Sequence, residues 1–425
     1  MVKHRIFNAD HYLDKFQGFE NLLRGYCRLW GKKLGLAIAT LDVDTFKKWL
    51  VDGESEAKDE LMDGLYRCRD ISTERGHEDL RTACAECDYD PDPDHDLPVE
   101  CLALKVRTEK EEAFHLAYDR NAMFYAERFT IRRGRSAQSI SGSPKHKKAF
   151  ASLLAKEFHA HKKSERVLVR SYEEGSSTNF IVYHEKRVQA TLVFKGGRTR
   201  PKVGSAVFRP LQQDFIRYNR DTGEVEIEAR YEGEEDKLRH CFAECFFPDK
   251  DFFDGENAAK CLDLGEIAEP SFRLETPEGI SAALVLLRFN LPQKGAPSFD
   301  VRSKDVLHTL DINRLRKKLK ADSIQAAAIK IVFPDDSRGK RVELSGDNKI
   351  KFNRATHADD VFQLLRNWEL MLIHEDEAED ESAEQPARTH TEPAAHGGGA
   401  VATTSRSRTV PKDETGKRLG RKKPR

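Results

Sequence analysis

Apolar and polar residues between Val207 and Phe247 fall into three successive patterns. Residues 215–218 (FIRY) and 225–230 (VEIEAR) alternate on either side of Asn219-Arg220-Asp221-Thr222-Gly223-Glu224, the pattern of two half-buried strands joined by a turn. Beyond Gly233, Leu238, Cys241, Phe242, Cys245 and Phe246 recur at intervals of three and four, which predicts a helix with one apolar stripe.

The same periodicities divide the rest of the chain. Tyr12, Phe16, Phe19, Leu22, Leu23, Tyr26, Cys27 and Trp30 predict one amphipathic helix over residues 9–30. Residues 34–40 (LGLAIAT) read as a short strand or a helix extension. Asp42 or Asp44 is placed to cap the helix that carries Phe46, Trp49 and Leu50. Helices over 55–69 and 74–87 follow, and the Asp/Pro run through Pro91, Pro93 and Pro98 ends regular structure. Residues 101–107 (CLALKVR) and 124–132 (FYAERFTIR) alternate as strands, and a polar connector leads to a helix from Pro144 to His161. A hairpin is expected from 166–171 and 179–183, with 188–194 continuing the sheet. Residues 281–289 (SAALVLLRF) read as a buried strand and 311–319 as a basic helix. Strands at 329–333, 340–345 and 349–352 then precede a helix over 358–372, repeating the order of elements in 207–247 without a residue-level repeat. From Glu375 an acidic run gives way to Gly397-Gly398-Gly399 and a basic end, Lys417 to Arg425, a composition that predicts disorder.

These readings give an α+β fold with mixed, mainly antiparallel sheets. Its expected parts are a helical region (1–100), a basic α+β domain (101–203), a second α+β domain (204–372) and a tail (373–425). A chain of 425 residues is too long for one small core. It has no run of 18 apolar residues and no apolar leader, which predicts an intracellular, cytoplasmic protein with no membrane partner. Eight irregularly spaced cysteines do not describe a disulfide framework, so reduced thiols are expected.

Lys plus Arg and Asp plus Glu both number 72, but the balance is segregated. Residues 51–100 hold 17 acids and 5 bases, residues 120–166 hold 12 bases and 3 acids, and residues 186–209 hold seven bases and no acid. Basic clusters beside Gly/Ser-rich stretches suit phosphate contacts, and Phe124, Tyr125 and Phe129 would stack on bases if exposed. The residues assigned to such contacts are Arg128, Arg132, Arg133, Arg135, Lys145, Lys147, Lys148, Arg198, Arg200 and Lys202. A solvated basic face, or one docked on the chain's own acidic region, fits the same composition.

Catalytic motifs are sparse. Cys84 and Cys87 form a CxxC near Cys68 and Cys101, but a second pair to close a tetrahedral zinc site is missing, and core packing accounts for them. Gly204-Ser205 with Asp214 lacks the second carboxylate of a nucleotidyl transferase, and His184-Glu185-Lys186 lacks the later acid of a phosphodiesterase. Asp214, Asp221, Glu226 and Glu228 are the only approach to a metal-dependent nuclease, although alternation alone explains the glutamates. No Walker A loop, GxSxG, HExxH or GxGxxG occurs. No catalytic residue, metal or cofactor is assigned. The expected function is non-catalytic binding of DNA or RNA phosphates. The alternatives are a protein-interaction subunit of a larger complex, such as a bacterial defence or regulatory assembly, and a divergent nuclease.

Overall fold

The computed structural model describes residues 8–372 apart from 54, 94–95, 162–163, 196–201, 248 and 292–296, so the expected tail lies outside the described residues. Seven helices come first: α1 (Ala9–Leu13), α2 (Glu20–Arg28), α3 (Val43–Asp52), α4 (Lys58–Ile71), α5 (Glu74–Glu86), α6 (Val99–Glu109) and α7 (Glu111–Phe124). The single helix expected over 9–30 is broken at Gly18, whose φ of +86° is open to glycine and closed to a continuing helix. Residues 31–34 and 38–40 are 3-10 turns, neither strand nor helix extension. Asp42 caps α3 as expected, its carboxylate accepting the Thr45 N–H at 2.7 Å.

Residues 101–107 are the main correction, because the stretch expected as a strand is the middle of α6. Cys101, Leu102, Ala103, Leu104 and Val106 are all buried, so neither a helical stripe nor a strand alternation stands out. The helix α7 hides its period differently: Asp119, Arg120 and Asn121 are buried among its apolar residues, and only from Phe129 does the chain become extended. These helices close around their own core, in which the Tyr26 hydroxyl donates to the Leu61 carbonyl at 2.9 Å.

The remaining elements are β1 (Phe129–Arg133), α8 (Pro144–Ala160), β2 (Val167–Glu174), β3 (Ser177–Glu185), β4 (Gln189–Lys195), β5 (Lys202–Phe208), β6 (Leu211–Asn219), β7 (Glu224–Glu228), α9 (Glu232–Phe246), β8 (Ser281–Asn290), β9 (Ser298–Arg302), α10 (Val306–Ile312), β10 (Ile324–Phe333), β11 (Asp336–Ser345), β12 (Lys349–Phe352) and α11 (Ala358–Asn367). Among the described residues, ten of the twelve strands form one antiparallel sheet in the order β2-β3-β6-β7-β1-β12-β11-β10-β8-β9. The fold is therefore α+β. The first strand in sequence lies mid-sheet, with Ile131 opposite Glu226 on one side and Ile350 on the other, so residues 129–133 join two sets of strands formed later in the chain. The expected boundary at 203/204 falls inside β5, and β3 pairs with β6 across it.

Two helix pairs cover the sheet. Phe150, Leu154 and Phe158 of α8 and Leu238 and Phe242 of α9 pack on Phe180, Val182, Ile216 and Tyr218. Leu310 of α10 and Val361 and Leu365 of α11 pack on Leu284, Ile329, Val342 and Ile350. The register puts α8 and α9 on one face of the sheet and α10 and α11 on the other, and on that second face Ala122 and Met123 meet Phe129, Tyr172, Ile181 and Phe215. The basic helix expected over 311–319 ends at Ile312, shortly before Arg314 turns to a φ of +55°. The helix expected to reach 372 ends at Asn367, before Glu369 turns to +58°. Among the described residues no helix is long and apolar enough to cross a membrane.

Candidate nucleic-acid interface

Residues 188–194, expected to continue the sheet, leave it instead. Strands β4 and β5 pair only with each other, from Gln189 opposite Phe208 to Lys195 opposite Lys202, as a two-stranded ribbon between β3 and β6. The Lys186 N–H donates to the Pro210 carbonyl at 2.8 Å and Arg209 Nη1 donates to the Lys186 carbonyl at 3.3 Å, which closes the ribbon's root. Side chains alternate across the ribbon. One face carries Ala190, Leu192, Val203, Ser205 and Val207, and Leu192, Val203 and Val207 are 76, 71 and 67 % exposed. Arg187, Lys202 and Arg209 are exposed on the same segment, in which acids are absent from 186 to 209. Arg198 and Arg200 lie outside the described residues.

Helix α8 carries a second set of exposed basic residues. Ser143 caps it, and Pro144 occupies its first turn, where a missing N–H costs nothing. Its buried residues at 150, 154 and 158 leave Lys145, Lys148, Ser152, Lys156 and His159 exposed at helical spacing. Phe150 meets Phe180 at 6.3 Å between ring centroids and Phe158 meets His184 at 4.4 Å, so α8 runs along β3 and ends against the ribbon's root. At its other end the connector carrying exposed Arg135 packs beside the β6–β7 turn, the Gln138 N–H donating to the Tyr218 hydroxyl at 3.0 Å. Seventeen helical residues span about 25 Å, and Lys145, Lys148 and Lys156 are exposed along them.

Other assigned residues fall elsewhere. Arg128 is exposed at the start of β1, Lys147 and Arg133 are half-buried, and Arg132 is buried at 7 % exposure. Arg132 faces Asp254 at 3.2 Å, Asp347 at 3.4 Å and Glu235 at 3.7 Å, while Arg239 holds Glu235, Asp236 and Asp254, each at 2.9 Å, and Lys349 reaches Glu235 at 3.0 Å. Its charge belongs to an interior network joining β1, α9 and the start of β12, which removes it from any phosphate surface. Phe129 is core, whereas Phe124 and Tyr125 are exposed at the end of α7, with Arg75 lying over the Phe124 ring.

The carboxylates weighed for nuclease chemistry do not converge. Register pairs Phe215 with Glu228 and Arg217 with Glu226, which puts both glutamates on the sheet face opposite Asp214; Asp221 sits in the β6–β7 turn. Glu226 is held by Arg217 and Arg354. Burial pushes the Glu228 carboxyl up to about 7, against the lowering effect of the Glu127 and Arg128 backbone N–H groups. Cys68, Cys84 and Cys101 are buried in the N-terminal core, and desolvation pushes their thiols up to about 12, 11 and 12; Cys87 is half-buried, and all eight cysteines are free.

One constellation was missed by reading motifs singly. His184 on β3, Gln212 and Asp214 on β6, and Glu234 in the first turn of α9 are all buried beneath the ribbon's root. His184 Nε2 lies 2.7 Å from Asp214 Oδ2, and Gln212 Nε2 donates to Asp214 Oδ1 at 2.7 Å and to Glu234 Oε2 at 2.8 Å. The signal was parity: His184 and Asp214 share strand parity with Phe180, Val182, Ile216 and Tyr218, so they are polar residues at core positions. In comparisons with known proteins, no family model and no curated protein matches this chain.

Proposed function

We propose that this chain binds the phosphate backbone of nucleic acid along α8 and the β4–β5 ribbon, in a binding rather than a catalytic role. The carrying observation is the ribbon: a two-stranded arm outside the main sheet, with seven bases and no acid across residues 186–209. A two-stranded β-ribbon has the width to enter the major groove of a duplex, and the lysines from Lys145 to Lys156 run about 16 Å along α8, enough to meet two or three phosphates. Lysines dominate the exposed face of α8 and meet phosphates as point charges, so affinity on this reading comes from charge and depends on salt.

Anisotropy titrations of labelled duplex DNA and RNA, over a series of salt concentrations, test this reading. Reversing Lys145, Lys148 and Lys156 to Glu, or separately Arg187, Lys202 and Arg209, lowers the magnitude of the log–log salt slope by about 2 to 3 in each case. Unchanged affinity and slope in both triple variants refutes the proposal.

The apolar ribbon face favours a second reading. Leu192, Val203 and Val207 are too exposed for an isolated hairpin to hold its shape by burial, and such faces add to a partner protein. Replacing all three with Ser removes a co-purifying protein and leaves nucleic-acid affinity intact on this reading. On the first reading, loss of affinity follows the basic residues alone.

A further inference from the structure

We propose that His184, Gln212, Asp214 and Glu234 form a site for one divalent cation of the first transition row, fastening the root of the ribbon to α9. The nitrogen of His184 and one carboxylate oxygen each from Asp214 and Glu234 lie within 4.8 Å of one another. Neighbouring ligands of such a cation, bound at about 2.1 Å, stand about 3.0–3.4 Å apart, so His184 Nε2 and Asp214 Oδ2, now 2.7 Å apart, separate slightly to admit it. Two carboxylates supply the two negative charges a dication requires in an interior where isolated charge is costly.

The Gln212 carboxamide can add a further oxygen. Gln212 Oε1 has no hydrogen-bond partner although its amide lies between the two carboxylates, and His184 Nδ1 is likewise buried without one. Reversing the carboxamide exchanges its two ends and sets Oε1 where Nε2 stands, 2.7 and 2.8 Å from the acidic oxygens. Without a cation Gln212 Nε2 donates to both carboxylates; with one, the reversed carboxamide turns Oε1 inward as a third oxygen ligand. With it the site has one imidazole and three oxygen ligands, a set that suits Mn²⁺ or Zn²⁺ and disfavours thiophilic Cu(I). The ligands are closed over by Phe158 and come from β3, β6 and α9, so the cation is structural. His240, Asp251 and Asp254 also approach one another, but Arg132 and Arg239 already neutralise Asp254 and would repel a dication.

This inference is independent of nucleic-acid binding. Full-length protein, freed of any affinity tag and stripped with EDTA, is incubated with MnCl₂ or ZnSO₄, desalted, and read by elemental analysis and thermal melting. The expected result is about one equivalent retained per chain and a melting temperature above that of the stripped protein. Asp214→Asn and Glu234→Gln, checked for folding by circular dichroism, retain at most about a tenth as much. Retention below about a tenth of an equivalent in the folded native chain with both metals overturns the proposal. Equal retention in native chain and folded variants also overturns it, by placing the metal elsewhere, such as on the cysteines. If neither variant folds, the milder Gln212→Ala is read the same way, and retention equal to the native chain's overturns the proposal.

Discussion

Replacing Arg132 with Ala tests whether its charge serves the interior or a ligand. The guanidinium is buried and faces Asp254, Asp347 and Glu235, with an additional bond from Nη1 to the Asp347 carbonyl at 3.2 Å. Removing one partner of a buried ionic network costs about 3–5 kcal/mol when the remaining charge is left uncompensated. Here the compensation is partial: Arg239 still holds Glu235 and Asp254, Lys349 still holds Glu235, and Asp347 is mostly exposed. The lower end, about 3 kcal/mol, is therefore expected. For a folded unit of about 365 residues the unfolding entropy converts this to roughly 4 °C in melting temperature. Arg135→Ala, three residues on and exposed, changes stability by less than about 0.5 kcal/mol while weakening phosphate binding. Differential scanning calorimetry and anisotropy on both variants give opposite patterns. The reasoning is refuted if Arg132→Ala melts within about 1 °C of the native chain, or loses nucleic-acid affinity at unchanged stability.

Two further outcomes follow from buried groups. Glu228 has a folded pKa raised to about 7, above the unfolded value, so the folded chain binds the extra proton: its stabilising effect is complete below the unfolded pKa and is lost as pH rises through about 7. Glu228→Gln should therefore raise the melting temperature at pH 8 and flatten its fall between pH 5 and 8; an unchanged pH profile counts against the burial argument. Phe242 meets the rings of Phe150, Phe180, Phe246, Phe247 and Phe253 and is fully buried, so Phe242→Ala should cost about 3–5 kcal/mol in urea unfolding, with a loss under about 1 kcal/mol ruling out a tightly packed cluster.

Much of the fold was legible where one face of an element meets water. The hairpins β2–β3 and β6–β7 and the helices α3, α8 and α9 follow directly from alternation or a three-to-four spacing. Where burial is all-round, periodicity vanishes, which is why CLALKVR reads as a strand in the sequence and is α6 in the fold. The position of β1 between β7 and β12 is set by pairings about 100 and 220 residues away, which no local pattern encodes. Charge density in the sequence marks the basic segments but not the environment of each residue. Arg132, Arg133 and Arg135 are equally basic in sequence, yet strand alternation buries the first in an acidic network and the connector exposes the last. His184 and Asp214 each appeared in a failed motif, and only the β3–β6 register, which sets His184 opposite Gln212 and Val182 opposite Asp214, brings them together across the intervening ribbon.

The closed root gives the ribbon an architectural independence. Lys186 and Pro210 are already joined by a backbone hydrogen bond, and β3 and β6 are paired from Glu185–Leu211 to Ser177–Asn219 without help from anything between. The sheet is thus indifferent to the arm's length: residues can be added, trimmed or exchanged beyond the root as in a tool holder that accepts different bits. A version with a short turn in place of 187–209 would keep the scaffold and lose the tool.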